Sequence, residues 1–166
     1  MDEKNIAEAL IRLKCGYPQR SFLYYGSDKH KNSETLQQIK NIVIPLTNGV
    51  ISINSAPSVN FFEDLLRGLK NICADFLPPA NPNDLTELFI CAGQTAKASG
   101  QSICIFIENL HTIKKAELRE LCTAISRANQ LNLPIIAFMT GSPSILRKLG
   151  QACSYAERLF EFIEIT

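Results

Sequence analysis

The sequence predicts a three-layer α/β domain built on a parallel sheet, and three features predict it. Ser102-Ile103-Cys104-Ile105-Phe106-Ile107-Glu108-Asn109-Leu110-His111 is a short, unbroken apolar run that ends in a carboxylate, the pattern of a strand buried on both faces. Five strand-like runs alternate along the chain with stretches of helical periodicity, which implies parallel strands joined by helical crossovers. A glycine-led polar segment separates the first strand from the helix after it, the frame in which phosphate-binding loops are built.

Each element follows from local signals. Ile6, Ala9, Leu10 and Leu13 recur at helical spacing, and Gly16 with Pro18 ends that first helix. Ser21 to Tyr25 is the first strand and Gly26 to Asn32 a polar loop; from Ser33 the positions Leu36, Ile39 and Val43 mark a second helix. Val50 to Asn54 is a strand ended by Ala56-Pro57. Phe62, Leu65, Leu66, Leu69, Cys73 and Phe76 then form the clearest amphipathic stripe in the chain, stopped by the rigid connector Pro78-Pro79-Ala80-Asn81-Pro82. The next helix begins at Asn83 or Asp84, with Glu87 placed to complete a capping interaction, and carries Leu85, Leu88, Phe89 and Ala92 inward as far as Gly100.

Beyond the apolar strand, Leu118, Leu121, Cys122, Ile125 and Ala128 stand in helical register. Pro134 to Thr140 is the fourth strand. Ser142 and Pro143 fit the cap and first position of a helix, where proline's missing donor costs nothing. Ser154-Tyr155-Ala156-Glu157 matches a capping box, which makes Tyr155 to Phe160 a short helical turn before a last strand, Phe162 to Ile165.

Bulk properties narrow the function. At 166 residues the chain is one domain by length and buries roughly two thirds of its unfolded surface. With a net charge of +1, nucleic acid is not indicated as a partner and neither is a membrane. The six cysteines, Cys15, Cys73, Cys91, Cys104, Cys122 and Cys153, lie far apart with no CxxC pair, which reads as buried structural thiols in a reducing cytoplasm. No stretch approaches the length of a membrane span.

A phosphate-binding loop follows GxxxxGK[ST]: glycines let backbone N–H groups wrap the phosphates, the lysine neutralises charge and the hydroxyl holds magnesium. Here the segment reads Gly26-Ser27-Asp28-Lys29-His30-Lys31-Asn32-Ser33. Gly26 and Ser33 match; Lys31 replaces the second glycine and Asn32 the lysine. At the end of the central strand, Glu108 can face a hydrated magnesium ion, but Asn109 stands where a general base would and cannot accept the proton. Hydrolysis by the usual route is therefore not expected, and no catalytic residue is assigned. Lys29, His30 and Lys31 make a small basic cluster that can meet phosphate or an acidic partner, or simply be solvated. His111 reads as a helix-start residue.

The segments Ala124 to Ala137, Thr140-Gly141-Ser142-Pro143-Ser144-Ile145 and Ser154 to Phe160 resemble the end of the ATPase domain in bacterial AAA-type ATP-binding proteins related to origin-recognition ATPases. The resemblance implies a P-loop fold with a five-stranded parallel sheet in the order 5-1-4-3-2, ATP with Mg2+ as cofactor, and a nucleotide site over Gly26 to Ser33 with Thr140 and Arg158 added. It also implies metal contacts from Ser33 and Glu108. Arg158 is then directed to phosphate or to a neighbouring subunit; within its own turn it can equally pair with Glu157 or Glu161. The family's helical or winged-helix module is expected to be absent, since the chain stops at the fifth strand. With the loop and base altered, the expected function is a degenerate ATPase domain acting on a protein partner, or in an oligomer, as an interaction or regulatory module; the alternative is ATP or ADP binding with little turnover.

Overall fold

The structure, a computed structural model, describes residues 3–54, 60–74, 79–81 and 83–166. Five strands, β1 (Ser21–Tyr25), β2 (Gly49–Asn54), β3 (Ile103–Glu108), β4 (Ile135–Gly141) and β5 (Phe160–Glu164), form one sheet in the order β2-β3-β4-β1-β5 with every pairing parallel. This is the predicted order 5-1-4-3-2.

Alternation along β3 divides the core. Ile103, Ile105 and Ile107 enter one cluster, with α3 (Phe61–Cys73), α4 (Leu85–Ala98), α5 (Lys115–Gln130), α6 (Ser144–Ala152) and α7 (Ala156–Leu159). Cys104 and Phe106 enter the other, beneath α1 (Glu3–Lys14) and α2 (Lys29–Val43). Successive side chains of a strand point to opposite faces, so a continuous apolar run serves two helical layers at once. On the α1/α2 face, Phe22, Phe138 and Phe106 stack across three adjacent strands with ring centroids 5.4 and 5.3 Å apart.

Three boundaries depart from the sequence-based expectation. The helix after β1 starts at Lys29, four residues before Ser33, because the Asp28 carboxylate accepts from the backbone N–H of His30 at 2.9 Å and of Lys31 at 3.3 Å. The loop expected over Gly26 to Asn32 is therefore three residues long. Near the carboxyl terminus the Ser154 capping box does not form. α7 has no side-chain cap, and β5 begins at Phe160 because that residue pairs with Ser21 of β1. Ser142 does not cap α6 with its side chain; its carbonyl accepts from Ile145 N–H at 3.0 Å, and its hydroxyl lies 2.7 Å from that of Ser144. Asp84 caps α4 as predicted, although Glu87 reaches the Asn81 N–H at 2.8 Å rather than closing on Asp84. Ala56, Pro57, Phe76, Pro78 and Pro82 lie outside the described residues.

Among the described residues no helix is long and apolar enough to cross a membrane.

Candidate functional site

The chain leaves β1 toward α2 on one face of the sheet and leaves its neighbour β4 toward α6 on the other. Divergence of that kind opens a crevice at the carboxyl ends of the two strands, where open α/β sheets take their ligands. In this chain the crevice holds Asn32. Its side-chain amide donates to the carbonyl of Gly26 at 2.9 Å and to that of Gly141 at 3.2 Å, and the residue is only 3% exposed. The Gly26 N–H donates to the same Gly141 carbonyl at 3.1 Å, which ties the end of β1 to the end of β4. A side chain at Gly26 would meet Asn32 Oδ1 and the Ile165 carbonyl, both 3.0 Å from a built Cβ, so glycine is what allows this approach. Asn32 Oδ1 is buried without a partner among the described residues.

Asp28 occupies the other feature that an anion would seek. The first N–H groups of a helix have no intrahelical acceptor and carry the positive end of its dipole. At α2 two of them already meet the Asp28 carboxylate. Ser27, Lys29, His30 and Lys31 are exposed around this helix start. His30 lies 3.3 Å from Glu34 one turn on, and Lys31 Nζ reaches the Thr166 carbonyl at 3.5 Å.

The remaining expected residues divide between the two ends of the sheet. Ser33 Oγ donates to Glu108 Oε1, which brings the two expected metal contacts together. Asn109, left-handed at φ 60°, donates from its amide to Asn54 Oδ1 at 3.2 Å. Thr140 lies beside Tyr24 in the sheet, fully buried, its hydroxyl without a partner among the described residues. Arg158 is elsewhere. It sits in α7, which enters β5 at Phe160, and Phe160 pairs with the first residue of β1. That places it at the amino end of the strands, across the sheet from Gly26, so it does not join the loop in its own chain. It does not pair with Glu157 or Glu161 either; Arg20 approaches Glu161, at 3.8 Å.

Two residues absent from the expected site stand in it. His111 Nδ1 accepts from the Ser142 N–H at 3.0 Å, and Lys148 Nζ donates to the His111 carbonyl at 2.9 Å. Burial lowers the His111 pKa first, and the nearby charges of Lys29 and Lys148 lower it further. Lys148 offered no sequence signal, because its distance from Lys29 and His111 depends on how α6 folds back over the end of β4. Among the described residues no group of three or more metal-ligating side chains occurs.

No family model matches the chain. No curated protein matches it. Solved structures do. A Drosophila ORC structure with GC-rich DNA and Cdc6 contains a chain 16% identical to this one, with a TM-score of 0.61 over 96% of this chain and 53% of that one. The Aeropyrum pernix ORC2 protein in ADPNP–ADP complexes is 11% identical at a TM-score of 0.62, over 98% of this chain and 46% of that one. AMPPCP-bound DnaA from Aquifex aeolicus is 14% identical at 0.53, over 98% and 45%. The chain thus spans about half the length of these relatives.

These likenesses correct one expectation. A net charge of +1 gives no indication of nucleic acid as a partner, yet chains of this fold are found in structures bound to DNA, so net charge over the whole chain excludes no such partner. At this level of identity the likeness reaches the fold and not a particular bacterial family: the chain has a three-layer α/β, P-loop NTPase-like fold with a five-stranded parallel sheet.

Proposed function

We propose that the chain is a degenerate AAA-type domain, allied to the bacterial origin-recognition-like ATP-binding proteins, that works as a non-hydrolysing protein-interaction or regulatory module. The observation that carries this reading is the seat of Asn32 in the crevice between β1 and β4. A triphosphate entering there would have to displace that carboxamide, compete with Asp28 for the amides of α2, and find no lysine at position 32. The residues present do not fit the phosphates of a nucleotide, and Asn109 is no general base. Fold relatives solved with DNA support placing such a module in an assembly on nucleic acid.

A second reading, ATP or ADP held with magnesium and scarcely turned over, is favoured by one contact. Ser33 and Glu108 meet at the end of β3, a hydroxyl and a carboxylate suited to a magnesium ion. Thermal unfolding with millimolar ATP and magnesium separates the two. The interaction reading expects an unchanged midpoint, whereas a nucleotide at a hundred times its Kd would add about 2.7 kcal/mol and raise the midpoint by several degrees. The variant Lys31→Gly, Asn32→Lys, Asn109→Glu is expected to gain the shift. If it folds and gains nothing, Gly26 to Ser33 is not a phosphate loop in origin.

A further inference from the structure

A cavity of about 560 Å³ opens between α5 and α7, away from the β1/β4 crevice. From α5 it is lined by Thr123, Ser126, Arg127 and Gln130, and from the α7 side by Tyr155 and Arg158. Neither aspartate nor glutamate lines it. Arg127 donates to Gln130 Oε1 at 3.2 Å, a neutral acceptor that leaves its charge uncompensated. The Arg158 backbone N–H donates to the Tyr155 carbonyl at 3.0 Å, whereas its guanidinium has no hydrogen bond or ion pair among the described residues. Two exposed guanidinium groups therefore share one concavity with nothing of opposite sign inside it.

We infer that this cavity is the docking site for an acidic segment of a protein partner, a peptide whose aspartate or glutamate carboxylates are taken by Arg127 and Arg158. The inference rests on the interaction reading above and supplies its surface and the chemistry of its partner. The planar guanidinium fork suits a carboxylate held by two parallel hydrogen bonds. Thr123, Ser126 and Gln130 offer donors and acceptors for a peptide main chain, while half-buried Tyr155 and the buried Leu159 give an apolar floor. The volume lies within the range of specific binding cavities.

The cavity does not suit a nucleotide. Phosphates are gripped by converging backbone N–H groups at the start of a helix. Thr123 to Gln130 are the carboxyl half of α5, whose N–H groups are engaged within the helix and cannot converge on a phosphate. α7 has only four residues. Nor does it suit a nucleic-acid backbone, which is tracked by cations spaced along a groove rather than two converging in a pocket.

The test uses fluorescein-labelled decaglutamate, decaglutamine and a single-stranded DNA of equal charge, titrated with the whole chain and followed by anisotropy. Decaglutamate is expected to bind, and to lose affinity by about tenfold in Arg158→Ala and in Arg127→Ala, each costing one charge-assisted interaction. Arg158→Glu should abolish binding. Both arginines are exposed, so the thermal midpoint of these variants should stay at the wild-type value. Equal binding of decaglutamine, affinity for decaglutamate that ignores both arginines, or no binding at millimolar peptide would each overturn the site. Tighter, arginine-dependent binding of the DNA would replace the acidic peptide with nucleic acid as the occupant. A thermal shift of the wild type with ATP and magnesium would overturn the proposed function and leave the arginine cavity standing, so the two failures are distinguishable.

Discussion

Asn32 joins two strands with one side chain, and its two polar atoms fare differently. The amide nitrogen is satisfied by the carbonyls of Gly26 and Gly141, whereas Oδ1 is buried without a partner among the described residues. Asn32→Leu strips the Gly26 carbonyl of its side-chain donor, while Gly141 still accepts from the Gly26 N–H. A buried acceptor left unmet costs about 1–3 kcal/mol, offset in part because the orphaned Oδ1 disappears as well. Urea unfolding should place Asn32→Leu about 1–2 kcal/mol below wild type. Asn32→Asp should fall lower still, since it turns carboxylate oxygens toward two carbonyls; an aspartate variant as stable as wild type would mean that the carboxamide does not sit in the crevice. His111 makes a prediction of the same scale with pH as the variable. Its pKa is lowered in the fold, so between the ordinary histidine value near 6.5 and the lower folded value the unfolded chain binds more protons. The stabilising contribution of neutral His111 is whole above that window and is lost as pH falls through it. His111→Gln keeps an acceptor for the Ser142 N–H but cannot titrate, so its unfolding midpoint should decline less than the wild type's between neutrality and pH 5. Parallel declines would assign the acid sensitivity to other groups.

Most elements were legible because their signals are local. β1 and the end of β3 fall where apolar runs meet glycine or a carboxylate, and Asp84 starts α4 as the cap residue it resembles. Where reading failed, a distant partner or a template had overridden a local signal. Asp28 is a favoured N-cap residue, yet fitting Gly26 to Ser33 to a phosphate loop assigned Lys29 to Asn32 to the loop instead of the first turn of α2. Ser154 and Glu157 have the spacing of a capping box, and pairing of Phe160 with Ser21 takes the chain into β5 before it can close. At the candidate site Ser33 and Glu108 come together, and both stand at motif positions that the sequence displays; the seat of Asn32 depends on β1 lying beside β4, a pairing of residues more than a hundred apart that no window of sequence displays. His111 and Lys148 come together for the same non-local reason.

Over the whole molecule the thiols report how completely the layers close. Of the six cysteines Cys15 is exposed, and Cys73, Cys91, Cys104, Cys122 and Cys153 are buried. They are less scattered than their spacing suggested. Cys73 of α3 lies beside Cys91 of α4, and Cys122 of α5 beside Cys153 beyond α6, so each pair marks a packed junction between helices on one face of the sheet. Cys104 lies on the other face, beneath α1 and α2. Burial pushes Cys73 and Cys104 up to about 12 and raises Cys122 as well. Thiolate is the nucleophile, and a thiol of pKa near 12 is only about one part in ten thousand thiolate at pH 8, before access is considered. Brief iodoacetamide treatment of the native chain at pH 8 should therefore add a single carbamidomethyl group, at Cys15, by intact-mass and peptide analysis. The same treatment in denaturant should modify every cysteine. Labelling of Cys73 or Cys122 at the rate of Cys15 in native buffer would mean that α3 to α6 do not close over the sheet, and with that the crevice, the arginine cavity and the core they share would have to be redrawn.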